Sequence, residues 1–204
     1  MSAMTGMDTA QLAALAAVLG FASGIRLYAV LLVVGLAGFA GWVDLPAGLQ
    51  VLSHPWVLGA SGFMFVVEFF ADKVPAVDSL WDALHTFIRI PAGAALAASV
   101  FGFGTGDAAW ATVMAIVGGS LAATSHFTKA GSRAAVNTSP EPFSDVAVSA
   151  GEDVLVGGLL ALVLAWPLAA AAVVLLLVLA ALWLLPKLLR SIRGIMRRLL
   201  GGTP

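Results

Sequence analysis

Residues 168–185 form a run of eighteen consecutive apolar side chains. A helix rises about 1.5 Å per residue, so this run extends about 27 Å, close to the thickness of the hydrocarbon core of a bilayer. The chain is 61% hydrophobic and only 10% charged, whereas a typical soluble domain is about 25% charged. The apolar segments lack the alternation typical of outer-membrane barrels. The sequence therefore predicts an all-α integral membrane protein.

Turn residues and polar stretches divide the apolar sequence into a predicted bundle of six spans. An N-cap at Asp8 precedes a lead-in at the membrane interface, residues 10–18, and an interruption is predicted near Gly20 and Gly24. Segments 74–81 and 128–145 are predicted as polar loops, and Pro186 as the end of the last span. The predicted spans are residues 19–40, 55–70, 82–103, 108–127, 146–165 and 168–185. Residues 1–186 then form one transmembrane domain.

The distribution of lysine and arginine predicts the orientation. With six spans, both termini share one side of the membrane, and eight of the ten basic residues fall there. By the positive-inside rule, both termini are cytoplasmic. The tail, residues 187–204, has bases at 190, 193 and 197 and apolar residues at 188, 192, 195 and 199. This spacing predicts an amphipathic helix on the anionic inner leaflet; the alternative is a simple topology anchor.

A short motif recurs at a spacing of sixty-three residues. It aligns Ser23 with Thr86 and Ser149, and it aligns Arg26 with Arg89 and Glu152. Because this period contains two spans, each copy should enter the membrane from the same side. The interpretation is three repeated helical hairpins around a pseudo-threefold axis. The alternative is chance similarity among helices rich in Ala, Leu and Gly.

The repeated charges are predicted to form one layer inside the membrane. Arg89 follows Asp82 by seven residues, which places it about 10 Å along the helix, and Glu152 follows Asp145 by the same number. An ionisable side chain at such a depth is costly and points to a functional site. The alternatives are mutual pairing and snorkelling to the surface. The predicted substrate-binding residues are Arg26, Arg89, Glu152, Asp153, Lys129, Arg133 and Asn137.

A second set of charges lies at the ends of two predicted spans. Glu68 and Asp72 are four residues apart, and so are Lys129 and Arg133, so each pair shares one helix face. Their opposite signs predict interhelical salt bridges or a gate. Glu68, Asp72, Asp78 and Asp82 are also candidate ligands for Mg²⁺ or Mn²⁺, although their spacing fits no known motif.

Several segments resemble a bacterial multi-pass membrane family catalogued only as a domain of unknown function. The segments are 23–28, 68–75, 78–82, 128–133 and 137–144, and the resemblance covers residues 10–166. It implies a location in the bacterial inner membrane. It implies no substrate, cofactor or catalytic residue.

Three function classes follow from these patterns. The first is transport of a small polar or anionic solute, or translocation of a lipid, through a charged vestibule open to the cytoplasm. The second is a metal-dependent enzyme acting on a lipid, and the third is an accessory subunit whose charges are structural. No catalytic triad or nucleotide-binding fingerprint is present, so transport is favoured over catalysis. No cofactor and no nucleic-acid partner are expected, while Gly and Ala faces are compatible with a homo-oligomer.

Overall fold

The computed structural model describes residues 6–102, 107–136 and 142–199, and all regular structure in these ranges is helical. The helices are α1 (Thr9–Phe39), a short 3₁₀ helix (Ala47–Ser53), α2 (Pro55–Ala71), α3 (Pro75–Ser99), α4 (Ala108–Val136), α5 (Pro142–Ala165) and α6 (Pro167–Leu199). The all-α class is confirmed.

Four helical segments are long and apolar enough to cross a membrane: Thr9–Phe39, Ala108–Val136, Val146–Ala165 and Pro167–Lys187. The 3₁₀ helix and α2 meet at a bend of 68° and supply a fifth if they count as one span. Helix α3 is not among them. The chain is therefore a helical membrane protein, with four or five spans by length and composition among the described residues.

Helix α1 begins where the sequence predicts, but its second and third turns are already buried inside the bundle. Asp8 caps it, because the Asp8 carboxylate accepts a hydrogen bond from the Gln11 amide at 2.8 Å and the Gln11 side chain accepts one from the Asp8 amide. The interfacial lead-in is wrong, since Leu15 and Val18 are fully buried. The only non-helical backbone inside α1 is at Arg26 (φ −140°, ψ 77°), not at the preceding glycines.

Two segments predicted as loops are largely helical. Helix α3 starts at Pro75, where proline at the first turn loses no intrahelical hydrogen bond, and Asp78 lies in that turn near the positive end of the helix dipole. Helix α4 extends to Val136, so Lys129 and Arg133 lie on a helix. The sequence predicts solvated residues there, but Asp78, Lys129 and Arg133 are buried, and the two bases are paired with carboxylates.

Helix α6 continues through Pro186 to Leu199, although its candidate membrane span, Pro167–Lys187, ends one residue after the predicted end at Pro186. Proline loses one backbone hydrogen bond inside a helix, but membrane helices tolerate it where local adjustment and neighbouring groups satisfy the freed backbone.

Helix α1 lies at the centre of the bundle and packs extensively against α3 and α4. Glycines permit this approach. A methyl group on Gly20 would lie 2.7 Å from the Cα and 2.9 Å from the carbonyl oxygen of Gly118 on α4. Small residues at helix crossings are the usual means of close packing in membranes.

Replacing Gly20 by alanine is expected to lower the free energy of unfolding by about 1–3 kcal/mol, because the added methyl group meets backbone atoms that cannot rotate away. The matched control is Gly158→Ala on α5, where an added methyl group meets no atom within 4 Å. Thermal melting of both variants in the same detergent measures the difference. Equal melting temperatures would contradict the tight α1–α4 crossing.

Candidate functional site

The interior of the protein holds charged side chains beside its apolar core, and large apolar side chains lie on its surface. Its largest fully buried side chains include Arg26, Arg89 and Arg133, whereas Trp56 is 84% exposed and Phe87 is 83% exposed. Charged residues are almost never so buried in a soluble domain unless they are paired. It fits a bundle whose outer face contacts lipid and whose charges are paired inside.

The buried charges form one ionic cluster at the cytoplasmic ends predicted for the spans. We define the ionic cluster as four bases and six acids contributed by α1, α3, α4, α5 and the C-terminal end of α2. Its members are Arg26, Arg89, Lys129, Arg133, Glu68, Asp72, Asp78, Asp82, Glu152 and Asp153.

Asp72 caps the C-terminus of α2 and lies at the centre of the cluster. Its carboxylate accepts hydrogen bonds from Arg26 and, at 3.0 Å, from Lys129 Nζ. Arg133 donates to the Asp72 backbone carbonyl at 3.0 Å. Burial by itself raises the pKa of Asp72, but the charges of Lys129 and Arg26 outweigh it and hold that pKa below its usual value. The Asp72 carboxylate therefore joins α2 to α1 and α4.

Lys129 reaches the cluster from α4 and is buried. Its Nζ lies 3.5 Å from Asp82 and 3.6 Å from Glu152, in addition to its bond with Asp72. It also lies 3.4 Å from the carbonyl oxygen of Ile25, next to the non-helical residue Arg26. Insertion of a side chain into the hydrogen-bond ladder is a recognised cause of helix distortion. Lys129 thus contacts elements from four helical segments.

Arg89 bridges two carboxylates from different helices. Its Nη2 donates to Glu68 at 2.6 Å and its Nη1 donates to Asp82 at 2.7 Å. Arg89 and Glu68 are both fully buried. Short charge-assisted bonds of this kind are about twice as strong as neutral ones.

His126 completes the surroundings of Arg89. Arg89 Nη1 lies 3.3 Å from His126 Nδ1, and His126 Nε2 lies 2.7 Å from Thr86 Oγ1. Because arginine can only donate, Nδ1 accepts and Nε2 carries the proton. The Thr86 hydroxyl in turn donates to the Asp82 carbonyl at 3.0 Å. This chain fixes a neutral histidine beside the arginine.

Helix α5 closes the cluster with Glu152 and Asp153. Glu152 accepts from Arg133 Nε and Nη2, both at 3.1 Å, in a bidentate pair. Asp153 lies 3.0 Å from Arg26 Nε, and Ser149 Oγ accepts from Arg26 Nη2 at 2.9 Å. The aligned repeat positions Arg26 and Glu152 lie 3.5 Å apart.

The structure thus brings together nearly all the site residues predicted from sequence. The predicted interhelical salt bridges are confirmed for Asp72, which pairs with Lys129 and Arg133, whereas Glu68 pairs with Arg89 instead. Asn137 lies outside the described residues.

The sequence interpretation did not include His126 in the site, although its side chain is only 1% exposed. One signal could have found it: His126, Lys129 and Arg133 follow at intervals of three and four, so they share one face of α4.

The pairing inside the cluster leaves an excess of negative charge. Six carboxylates face four bases, a formal charge of −2, while Lys73 stays at the rim with its Nζ over the ring of Phe69. Asp78, in the first turn of α3 and ahead of the predicted span, is buried, and neither of its carboxylate oxygens has a hydrogen-bond partner within the described structure. Burial raises the pKa of Asp78 to about 7.

Cavities between the described helices border the cluster. One of about 270 Å³ lies between α1, α4, α5 and α6 and is lined by Lys129 and Glu152 together with apolar residues such as Leu155 and Leu177. A second, of about 200 Å³ between α3 and α4, reaches Asp82, His126 and Arg133. A third, of about 180 Å³, reaches Arg26 and Asp153. The ionic groups are therefore approachable from several sides.

Comparison with protein families gives one match, to the family described as "Domain of unknown function (DUF4126)", over residues 13–187. The chain belongs to the DUF4126 family. The matched range contains every member of the ionic cluster. No curated protein and no solved structure matches the chain. The resemblance to a family catalogued as a domain of unknown function is confirmed.

Proposed function

We propose that this DUF4126 protein translocates an amphipathic anionic molecule, such as a lipid with its head group, using the ionic cluster as a polar site within the membrane. The observation that carries the proposal is the cavity of about 270 Å³ between α1, α4, α5 and α6, which joins an apolar wall to charges of the ionic cluster. A small polar solute is the other substrate class compatible with this cavity.

The chemistry of that cavity suits an amphipathic ligand. Lys129 supplies a positive charge on its α4 side. The hydroxyls of Ser125, Thr128 and Ser132 lie there too, and they must rotate away from the backbone carbonyls to which they donate before they can bind a phosphate or carboxylate. The opposite wall comes from α5 and α6 and is apolar except for Glu152. A volume of about 270 Å³ lies just below the range of about 300–1,000 Å³ typical of ligand pockets. It therefore suits a head group and the adjoining part of a chain.

Six spans are part of the proposal, with α3 as the additional one. Helix α3 carries Asp82 and Arg89 on its inner face, where they are paired, while Leu84 and Phe87 are exposed. Such a helix is polar by composition but can present an apolar surface to lipid. Three hairpins, α1–α2, α3–α4 and α5–α6, then correspond to the proposed sequence repeat, and related repeats with a site at their interface are typical of transporters.

The proposed location is the bacterial inner membrane, with both termini in the cytoplasm. This orientation is supported by Lys73 and by the five basic residues of the segment that begins at Lys187. The ionic cluster then faces the cytoplasmic leaflet, and the C-terminal segment contacts anionic lipid there.

A translocation assay tests the function. The purified full chain is reconstituted into vesicles containing phosphatidylglycerol with a fluorescent label on its chain, and dithionite is added outside. Translocation exposes inner-leaflet label to bleaching. Leu177→Trp fills the apolar wall of the cavity without touching a charge. We expect it to slow translocation by about tenfold, the effect of raising a barrier by about 1.4 kcal/mol.

The matched control is Leu176→Trp, because Leu176 is the neighbouring residue but is 66% exposed and does not line the cavity. It should translocate at the wild-type rate. If wild-type protein bleaches no faster than empty vesicles with phosphatidylglycerol or with a labelled neutral lipid, the lipid function is wrong. If the extracted lipids are chemically altered, the protein is a lipid-modifying enzyme and the translocation proposal is wrong. Equal rates in both variants would remove the cavity from the path.

A further inference from the structure

Three carboxylates of the ionic cluster converge near the turn between α2 and α3. Asp72, Asp78 and Asp82 each offer an oxygen, and these oxygens lie within 4.8 Å of one another. Asp72 and Asp78 are fully buried and Asp82 is 3% exposed. Bringing three like charges so close inside a protein is unfavourable unless a positive charge or protons compensate them.

The neighbouring bases do not satisfy this group of acids. Lys129 binds Oδ2 of Asp72 and Arg89 binds Oδ1 of Asp82. The other oxygen of each residue is buried without a hydrogen-bond partner, and both oxygens of Asp78 lack one within the described structure. Asp78 is thus an unpartnered buried side chain directed into the group. Unsatisfied buried polar atoms are rare in native proteins, and binding of an ion or water is a usual explanation for them.

The charge balance points to the same compensation. The cluster has six acids and four bases, and one divalent cation would neutralise its formal charge of −2. From the converging oxygens and this balance, we infer that Asp72, Asp78 and Asp82 bind one divalent cation that prefers oxygen ligands, such as Mg²⁺ or Mn²⁺. This site is separate from the proposed lipid cavity.

Ligand chemistry limits the choice of ion. The three ligands are all carboxylates. Mg²⁺ and Mn²⁺ prefer such hard oxygen donors, whereas softer metals prefer sulfur ligands. Mg²⁺ usually keeps several waters and takes only a few carboxylates from the protein. Glu68, a candidate ligand from the sequence, is bound to Arg89 instead. The cavity between α3 and α4, lined by Asp82, supplies the approach.

Binding has a structural consequence. Asp72 ends α2, whereas Asp78 and Asp82 lie four residues apart on α3, and these two helices touch little elsewhere. A cation at this point would link the end of α2 to the first turns of α3. It would therefore hold the ionic cluster together from the side of the α2–α3 turn.

The test uses the full chain purified in detergent, stripped with EDTA and titrated with Mn²⁺, with free Mn²⁺ measured by electron paramagnetic resonance. We expect one bound Mn²⁺ per chain, displaced by Mg²⁺, and a rise in Tm that saturates over the same concentrations. Asp78→Asn should weaken Mn²⁺ binding by about 10- to 100-fold or more, because losing even a supporting group of a metal ligand costs this much.

Asp153→Asn is the matched control, since Asp153 belongs to the ionic cluster but not to the three converging acids; it should bind Mn²⁺ as wild type does. Folded wild-type protein that binds no Mn²⁺ would overturn the site, as would unchanged binding in Asp78→Asn. If Asp78→Asn fails to fold, the stoichiometry and Mg²⁺ competition of the wild type still decide the matter. No lipid is used, so this result and the translocation result can fail separately.

Discussion

Replacing Arg89 by methionine is expected to lower the free energy of unfolding by about 3–5 kcal/mol, the usual cost of removing one partner from a buried ion pair. The change leaves Glu68 without its partner at 2.6 Å and deprives Asp82 of a partner at 2.7 Å. Methionine retains much of the apolar stem, so the loss comes mainly from charge. Thermal and chemical denaturation in detergent measure it.

A double variant separates the charge effect from a packing effect. Arg89→Met with Glu68→Met removes both members of the fully buried pair, while Asp82 retains Lys129 at 3.5 Å. Replacing a whole buried pair by apolar side chains is often neutral, so the double variant should recover much of the loss. A double variant less stable than Arg89→Met alone would show that packing, not the unpaired carboxylate, causes the defect.

Replacing Lys129 by methionine is also expected to lower the free energy of unfolding by about 3–5 kcal/mol. The Lys129 ammonium lies between Asp72, Asp82 and Glu152, which come from three different parts of the bundle. Removing it leaves three carboxylates facing one another and raises the negative excess of the cluster. The same denaturation measurements apply.

Lys73→Met is the matched lysine control. Lys73 is partly exposed, its Nζ lies over the Phe69 ring, and it donates to the Phe69 carbonyl at 3.1 Å. Exposed or half-exposed charges contribute about 0–1 kcal/mol, so this variant should melt near the wild type. Equal losses in the two lysine variants would mean that burial of the charge does not determine its contribution.

The helices were predictable where local chemistry marks their ends. The Asp8 cap and the prolines at 55 and 167 define starts that the structure contains. Prediction failed at residues 74–81 and 128–136, where polar residues suggested solvated loops. Lys129 and Arg133 pair with carboxylates on other helices, and Asp78 is buried against the end of α2. A local pattern carries no information about neighbours that distant in the chain.

In the candidate site too, the local geometry was predictable and the pairing between helices was not. The intervals between Glu68 and Asp72 and between Lys129 and Arg133 identified each pair as one helix face, because the α-helix fixes that geometry locally. Those intervals do not reveal that Glu68 pairs with Arg89, that His126 lies beside Arg89, or that Asp78 has no hydrogen-bond partner in the described structure. Each of these depends on the crossing of separate helices.

A helical membrane protein with costly charges in its apolar segments could be read directly from the amino-acid order, because hydrophobic length and helical periodicity are local properties. How those charges combine depends on the packing of the helices. Ion pairing varies steeply with distance and burial, and the distances are set where α1, α3 and α4 approach through glycines such as Gly20 and Gly118. That packing converts ten separate charges into one ionic cluster, with three carboxylates left facing one another.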